Sequence, residues 1–546
     1  YLLINYFYIV FERMYYVTPL VPVEKAVAII SLILVLEAAR RTVGAFLSIT
    51  ALIFIIYVFV GPYLPGILYH PPVSLDMFLD LEYLTTGGIF GIPLGISATY
   101  IVLFIIFGAF MLQTGFGELV TDVATAVAGR FRGGPAKVAI LSSALFGTIS
   151  GSGSANVAVC GTFTIPMMKK IGFSPHFAGA VEAAAATGGE LMPPVMGAAA
   201  FLMAEYTGIP YISIAKHAAL IAILYFVSVY FMVDLEAAKM GIRGLKKEEL
   251  PKIKHGLANY GHLIVPVIVL LYLLVIGRSL FFSVTISIFA SIAMSYVRRK
   301  TALTPKKLIT ALSDGARGTV VVAIACAIAG IIIGAIYITG LGDRFTSLVV
   351  AVSGGSLIPA LFFTMLAALI LGMGMPISPV YILMVALVIP ALIKIGVPTL
   401  QAHMFVFYYA CLSLITPPVA SASYVAAGIA GASRTITGWV ALKMAAATFL
   451  VPFMFIYAPA LLVIGTPGEI ALAAVTSIVG VFAFATGLQG WGFKGHINII
   501  QRIMALGAAV LLIFPGLVTD LMGAALLALL YFWEFAANRR AALAKY

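Results

Sequence analysis

Apolar runs separated by short basic or glycine- and proline-rich segments follow one another along almost the whole chain, and their lengths predict bilayer-crossing helices. Partial or complete spans are expected at 1–17, 26–36, 43–60, 96–112, 212–233, 263–276, 280–297 and 320–338, and ordinary spans at 440–464 and 470–485. The last run, 503–533, is split by Pro515-Gly516 and is expected to make two short spans. Pro62, Pro65, Pro71 and Pro72 mark an outer loop, after which 74–84 is amphipathic enough to lie along the membrane surface.

Residues 150–194 depart from this pattern by placing Gly, Ser, Asn and Glu in the middle of membrane-type sequence. Arg130, Arg132 and Lys137 precede the stretch and Lys169 and Lys170 close its first half, which leaves 138–168 too short for two spans of about 20 residues each. With both basic clusters on the cytoplasmic side, the chain must turn back inside the bilayer. The turn falls at 150–156, where Gly151 and Gly153 allow backbone conformations closed to other residues. A helix then begins near Pro175 and is interrupted at Gly188, Gly189, Pro193 and Pro194. Irregular backbone at that depth is tolerated only where it is buried in protein or lines a wet cavity, so the stretch is a candidate binding site.

The motif recurs. A constant shift of 224 positions carries Ile165-Pro166 onto Ile389-Pro390, Lys170-Ile-Gly172 onto Lys394-Ile-Gly396, and Pro193-Pro-Val195 onto Pro417-Pro-Val419. With a three-residue gap, Gly151-Ser-Gly153 matches Gly372-Met-Gly374, the expected tip of a second hairpin, where Pro376 and Pro379 replace oxygen-bearing side chains. An odd number of spans between the two units turns the second upside down. Inverted repeats with broken helices point to alternating access, with binding where the units meet.

Composition agrees and narrows the classes. The 546 residues are 62% hydrophobic and 10% charged, with a mean hydropathy of +1.13, which excludes a soluble globular domain. The net charge of +12 gathers in inter-span segments such as 239–254 and 298–307, the positive-inside pattern rather than a nucleic-acid surface. Cys160, Cys326 and Cys411 lie in apolar surroundings and read as packing residues.

The first tip can coordinate a dehydrated cation through carbonyls and the side chains of Ser152, Ser154 and Asn156, since hard cations favour oxygen; the alternative is that its small residues only let helices approach closely. Glu182, Glu190 and Glu205 are intramembrane carboxylates, with Glu190 in the break itself, as proton carrier or cation ligand. His176 and His403, near helix starts, read as capping or interfacial residues. HExxH, GxSxG and phosphate-loop spacings do not occur, which leaves a membrane-embedded enzyme little support.

Gly133-Gly-Pro-Ala-Lys137, Gly147-Thr-Ile-Ser-Gly-Ser, Gly161-Thr-Phe-Thr-Ile-Pro166, Thr187-Gly-Gly189 and Met192-Pro-Pro-Val-Met-Gly closely resemble the large membrane subunit of tripartite ATP-independent periplasmic (TRAP) transporters. Leu36-Glu-Ala-Ala-Arg-Arg41, Gly61-Pro-Tyr-Leu-Pro-Gly66 and Gly88-Ile-Phe-Gly-Ile-Pro-Leu-Gly95 extend the resemblance to the TAXI subfamily, in which small and large membrane subunits are fused. Family sequence normally precedes Tyr1, so a helix or more is expected before it.

The resemblance implies an all-α polytopic protein of the cytoplasmic membrane, an elevator-type secondary transporter and not an enzyme. Its parts would be small-subunit-like helices over 1–95, a first repeat over 96–260 (hairpin 138–168, broken helix 175–207), scaffold over 261–345, an inverted second repeat over 346–435 (hairpin 357–393, broken helix 398–430), and C-terminal helices over 436–546. It implies Na+ (or H+) coupling at Ser150, Ser152, Gly153, Ser154, Gly188, Gly189, Glu190, Gly372, Gly374, Leu412 and Thr416. The substrate would meet Ser154, Asn156, Met192, Pro193, Pro376, Ser378 and Pro417. The expected partners are an extracytoplasmic TAXI-type solute-binding protein, a small carboxylate and the lipid bilayer, with no nucleic acid and no further cofactor. A stand-alone carboxylate symporter of the same broad fold is the nearest rival.

Overall fold

A computed structural model describes residues 5, 8–493, 495–513 and 516–543; Pro515 and part of the 1–17 run lie outside them. Among the described residues the chain is helical, with one isolated backbone bridge between Trp491 and His496. Among the described residues seven helices are long and apolar enough to cross a membrane: Ala45–Tyr63, Ile92–Gln113, Tyr211–Lys239, Gly256–Val275, Pro305–Thr339, Pro467–Gln489 and Val518–Ala536. The 35-residue Pro305–Thr339 helix is about 50 Å long at 1.5 Å per residue. That exceeds the hydrocarbon core of about 30 Å, so its basic start projects beyond the bilayer.

Two hairpins and two broken helices stand where the repeat places them. The first hairpin pairs Gly134–Ser150 with Gly153–Lys170, and the second pairs Leu357–Leu371 with Ile377–Leu387 and Ile389–Lys394. Pro166 is accommodated inside one continuous helix, whereas at the equivalent Pro390 the arm divides in two. The broken helices are Pro175–Gly189 with Ala199–Thr207, and Thr399–Leu412 with Ser421–Ala430. Gly172 and Gly396, equivalent in the repeat, both take positive φ, 108° and 103°.

One pairing differs from expectation. Gly151, at the first tip, is left-handed with φ 57°, and a side chain there would meet Met196 O and the Val195 side chain. At the second tip the left-handed residue against Val419, the repeat equivalent of Val195, is Gly374 with φ 74°, while Gly372 is right-handed. The structural counterpart of Gly151 is therefore Gly374, because backbone handedness and not the Gly-x-Gly spelling sets the tip.

The first hairpin is held at its base, away from the tip, by Asp234, which pairs with buried Lys137 at 2.5 Å and with Arg132. Lys137 also lies over the Tyr230 ring at 4.5 Å. Pro175–Gly189 is buried from Phe177 onward, enclosed by both hairpin arms, Ser421–Ala430 and Arg434–Met444. Small residues make this possible: the backbones of Gly147 and Gly189 approach so closely that a Cβ on either has no room.

Two segments differ from the sequence reading. The span expected at 440–464 is two short helices, Arg434–Met444 and Ala446–Tyr457, bent by 57°. The segment expected on the membrane surface at 74–84 is inside the protein from Phe78 to Leu84, because Asp80 pairs with buried Arg13 at 2.5 Å and Glu82 is enclosed with neither oxygen hydrogen-bonded. The final run forms two packed helices, Ile499–Ile513 and Leu517–Leu543, as expected.

Candidate functional site

A cavity of about 550 Å³ lies where the two hairpin tips meet. Ser150, Gly151, Ser152, Ser154 and Ala155 contribute from the first tip, and Gly374, Met375, Pro376, Ile377 and Ser378 from the second. The two helix breaks supply Glu190 and Ala198, and Leu414 and Ser421. Helices starting at Gly153, Ile377 and Ser421 therefore begin at its wall, bringing the positive ends of their dipoles. The opposite wall is built by Ile92–Gln113 and Pro305–Thr339, which contribute Gln113 and Asp314.

Glu190 caps Pro175–Gly189 and is buried. Its Oε1 accepts from the Gly153 N–H, which locks the break onto the first tip, and its Oε2 has no hydrogen-bond partner among the described residues. The buried Ser150 Oγ and Asn156 Oδ1 also lack partners. Asn156 Nδ2 donates to Ser143 O at 2.9 Å and the side chain lies against Gly189, beside Glu190. Buried oxygens are normally satisfied, so three buried oxygens without a hydrogen-bond partner among the described residues, two on the first tip and one on the break, stand out here.

Of the expected site residues, Ser150, Ser152, Ser154, Glu190, Gly374, Pro376 and Ser378 line the cavity. The others stand behind it. Gly153 serves through its N–H, Gly188 lies against the Tyr225 ring, Gly189 against Asn156, and Gly372 against Ser413. Thr416 turns its hydroxyl back to Leu412 O at 2.8 Å. Met192, Pro193 and Pro417 are half-buried in the breaks without facing the cavity. Sequence reasoning missed Ser421, Gln113 and Asp314. Ser421 ends the second break and was findable there; the other two come from helices distant in sequence.

Glu182 is a tie between elements: it accepts from Ser143 Oγ of one hairpin arm at 3.0 Å and from Thr164 Oγ1 of the other. Glu182→Ala leaves both buried hydroxyls without that acceptor, and is expected to destabilise the fold by about 1–3 kcal/mol. Glu182→Gln should recover most of it, as read by thermal unfolding in detergent. His403 is not the capping or interfacial residue expected: it is buried, with Nδ1 2.6 Å from Tyr381 Oη, joining the second broken helix to the second hairpin.

The family described as the DctM component of tripartite ATP-independent periplasmic transporters matches residues 30–470. The chain belongs to this family. It is accordingly a TRAP transporter permease, a multi-pass protein of the inner membrane and not an enzyme. The y4mL protein of Sinorhizobium fredii is 24% identical over 60% of this chain and 78% of its own length. The C4-dicarboxylate TRAP transporter large permease DctM of Pseudomonas aeruginosa is 35% identical over 20% of this chain and 26% of its own. The isethionate TRAP transporter permease DctMQ of Oleidesulfovibrio alaskensis is 38% identical over 17% and 14%. The chain thus matches about a quarter or less of the length of these two relatives, which carry a named substrate.

Proposed function

We propose that this permease imports a small carboxylate delivered by an extracytoplasmic solute-binding protein of the TAXI type, using a sodium gradient, by elevator movement of the hairpins and broken helices. The observation that carries this reading is the pair of unpartnered oxygens at the cavity wall, Glu190 Oε2 and Ser150 Oγ, with the unpartnered Asn156 Oδ1 behind it on the same tip, beside the starts of three helices. The oxygens suit a hard cation. The N-termini and the hydroxyls of Ser154, Ser378 and Ser421 suit an anion. No Arg, Lys or His lines the cavity among the described residues, so the bound cation is the positive charge available to the anion.

Thr42 and Gln113, at the last residues of their helices, and Asp314, in the third turn of Pro305–Thr339, line one end of the cavity, which the positive-inside pattern assigns to the cytoplasmic side, and we read this as an inward-facing state. The helices Pro22–Thr42 and Ala45–Val60 pack on Pro305–Thr339, which supports the reading of fused subunits in one scaffold. In liposomes, uptake is expected to require an added TAXI-type binding protein, with at least tenfold less by the permease alone. Robust uptake without it would establish the stand-alone symporter.

A further inference from the structure

The fixed wall of the cavity carries one charge that the coupling chemistry does not use. Asp314 lines the cavity near its cytoplasmic mouth and is exposed there. It has no ion pair among the described residues. Gln113 Nε2 donates to its Oδ2 at 3.4 Å, a long contact to a neutral amide that leaves the charge in place. Arg317, nearly one turn on, is exposed but does not line the cavity, and Lys306 and Lys307 lie at the start of the same helix. The hairpin side holds its own carboxylate, Glu190, against the place where a cation would sit. Asp314 has no such site beside it.

We propose that Asp314 sets substrate release: on the fixed wall it faces the bound carboxylate only in the inward-facing state, repels it there, and lowers its affinity on the cytoplasmic side. This rests on the carboxylate reading above and on movement of the hairpins past Pro305–Thr339. A residue that merely balanced nearby cytoplasmic cations would act on neither side of the cycle in particular. A like charge about 4 Å away in water is worth about fivefold in affinity, and less across a wider gap.

The test titrates the detergent-solubilised full chain, in saturating sodium, with succinate, 2-oxoglutarate, glutamate, pyruvate and lactate, reading thermal stabilisation. Asp314→Asn should bind whichever of these the unaltered chain binds about twofold to fivefold more tightly, and Asp314→Glu should not. In liposomes with binding protein, the internal concentration of that compound that halves uptake should fall about twofold to fivefold, with external half-saturation unchanged. Binding that is unchanged or weaker in Asp314→Asn, or a shift equal on both sides, overturns the release role alone. Stabilisation of neither protein by any of the five acids overturns the carboxylate reading, and the release role with it.

Discussion

Glu190→Gln is expected to raise the sodium concentration for half-maximal uptake at least tenfold while leaving the protein folded. The amide oxygen can still accept from the Gly153 N–H, so the junction of tip and break survives. What is lost, on the proposed reading, is the negative charge offered to the ion beside Ser150, a neutral partner on the same cavity wall. An opposite charge at contact distance in a partly buried site is worth several kcal/mol before desolvation is subtracted, and a net loss of about 1.4 kcal/mol already gives tenfold. Removing an enclosed charge that has no cationic side chain beside it should not lower thermal stability. Unchanged sodium dependence in a folded Glu190→Gln protein removes this carboxylate from the ion site. Loss of pH-driven uptake with substrate exchange intact would instead make it a proton carrier.

Gly147→Val should have the largest effect on the fold itself. A Cβ at Gly147 would overlap the Cα, carbonyl carbon and oxygen of Gly189, all backbone atoms that cannot rotate away. The hairpin would have to withdraw from the broken helix, taking Asn156 and the Gly153–Glu190 bond with it. Overpacking of this kind costs about 3 kcal/mol or more, a shift of several degrees in detergent unfolding. Gly95→Ala is the control, since nothing lies within 4 Å of the added carbon; it should leave the unfolding temperature unchanged or slightly raised. A Gly147→Val protein as stable as the unaltered chain would mean that the hairpin does not seat there.

Much of the architecture was legible because it depends on local chemistry. The paired basic clusters around 138–168, the Pro-Pro breaks and the 224-residue repeat each constrain the backbone directly, and the hairpins and broken helices stand at those positions. The failures have several physical causes. The amphipathic segment 74–84 read as lying along the surface, but its Asp80 finds Arg13 from 67 residues away, which no local pattern reveals. The bend after Met444 falls within continuous apolar sequence, so hydropathy passes over it. The tips were spelled alike as Gly-x-Gly, yet the left-handed turn moved to Gly374. Half of the cavity was legible as the two tips and breaks; the wall with Asp314 and Gln113 was not, because only packing brings those helices opposite the tips.

The central claim is that this site couples a carboxylate to sodium through Glu190. Uptake by the full chain in liposomes, with its binding protein present, measured under an inward sodium gradient at uniform pH and under an inward proton gradient without sodium, tests it most directly. The account predicts accumulation in the first condition, lost or shifted at least tenfold in Glu190→Gln, and none in the second. Accumulation driven by the proton gradient alone, and abolished in Glu190→Gln, would contradict it.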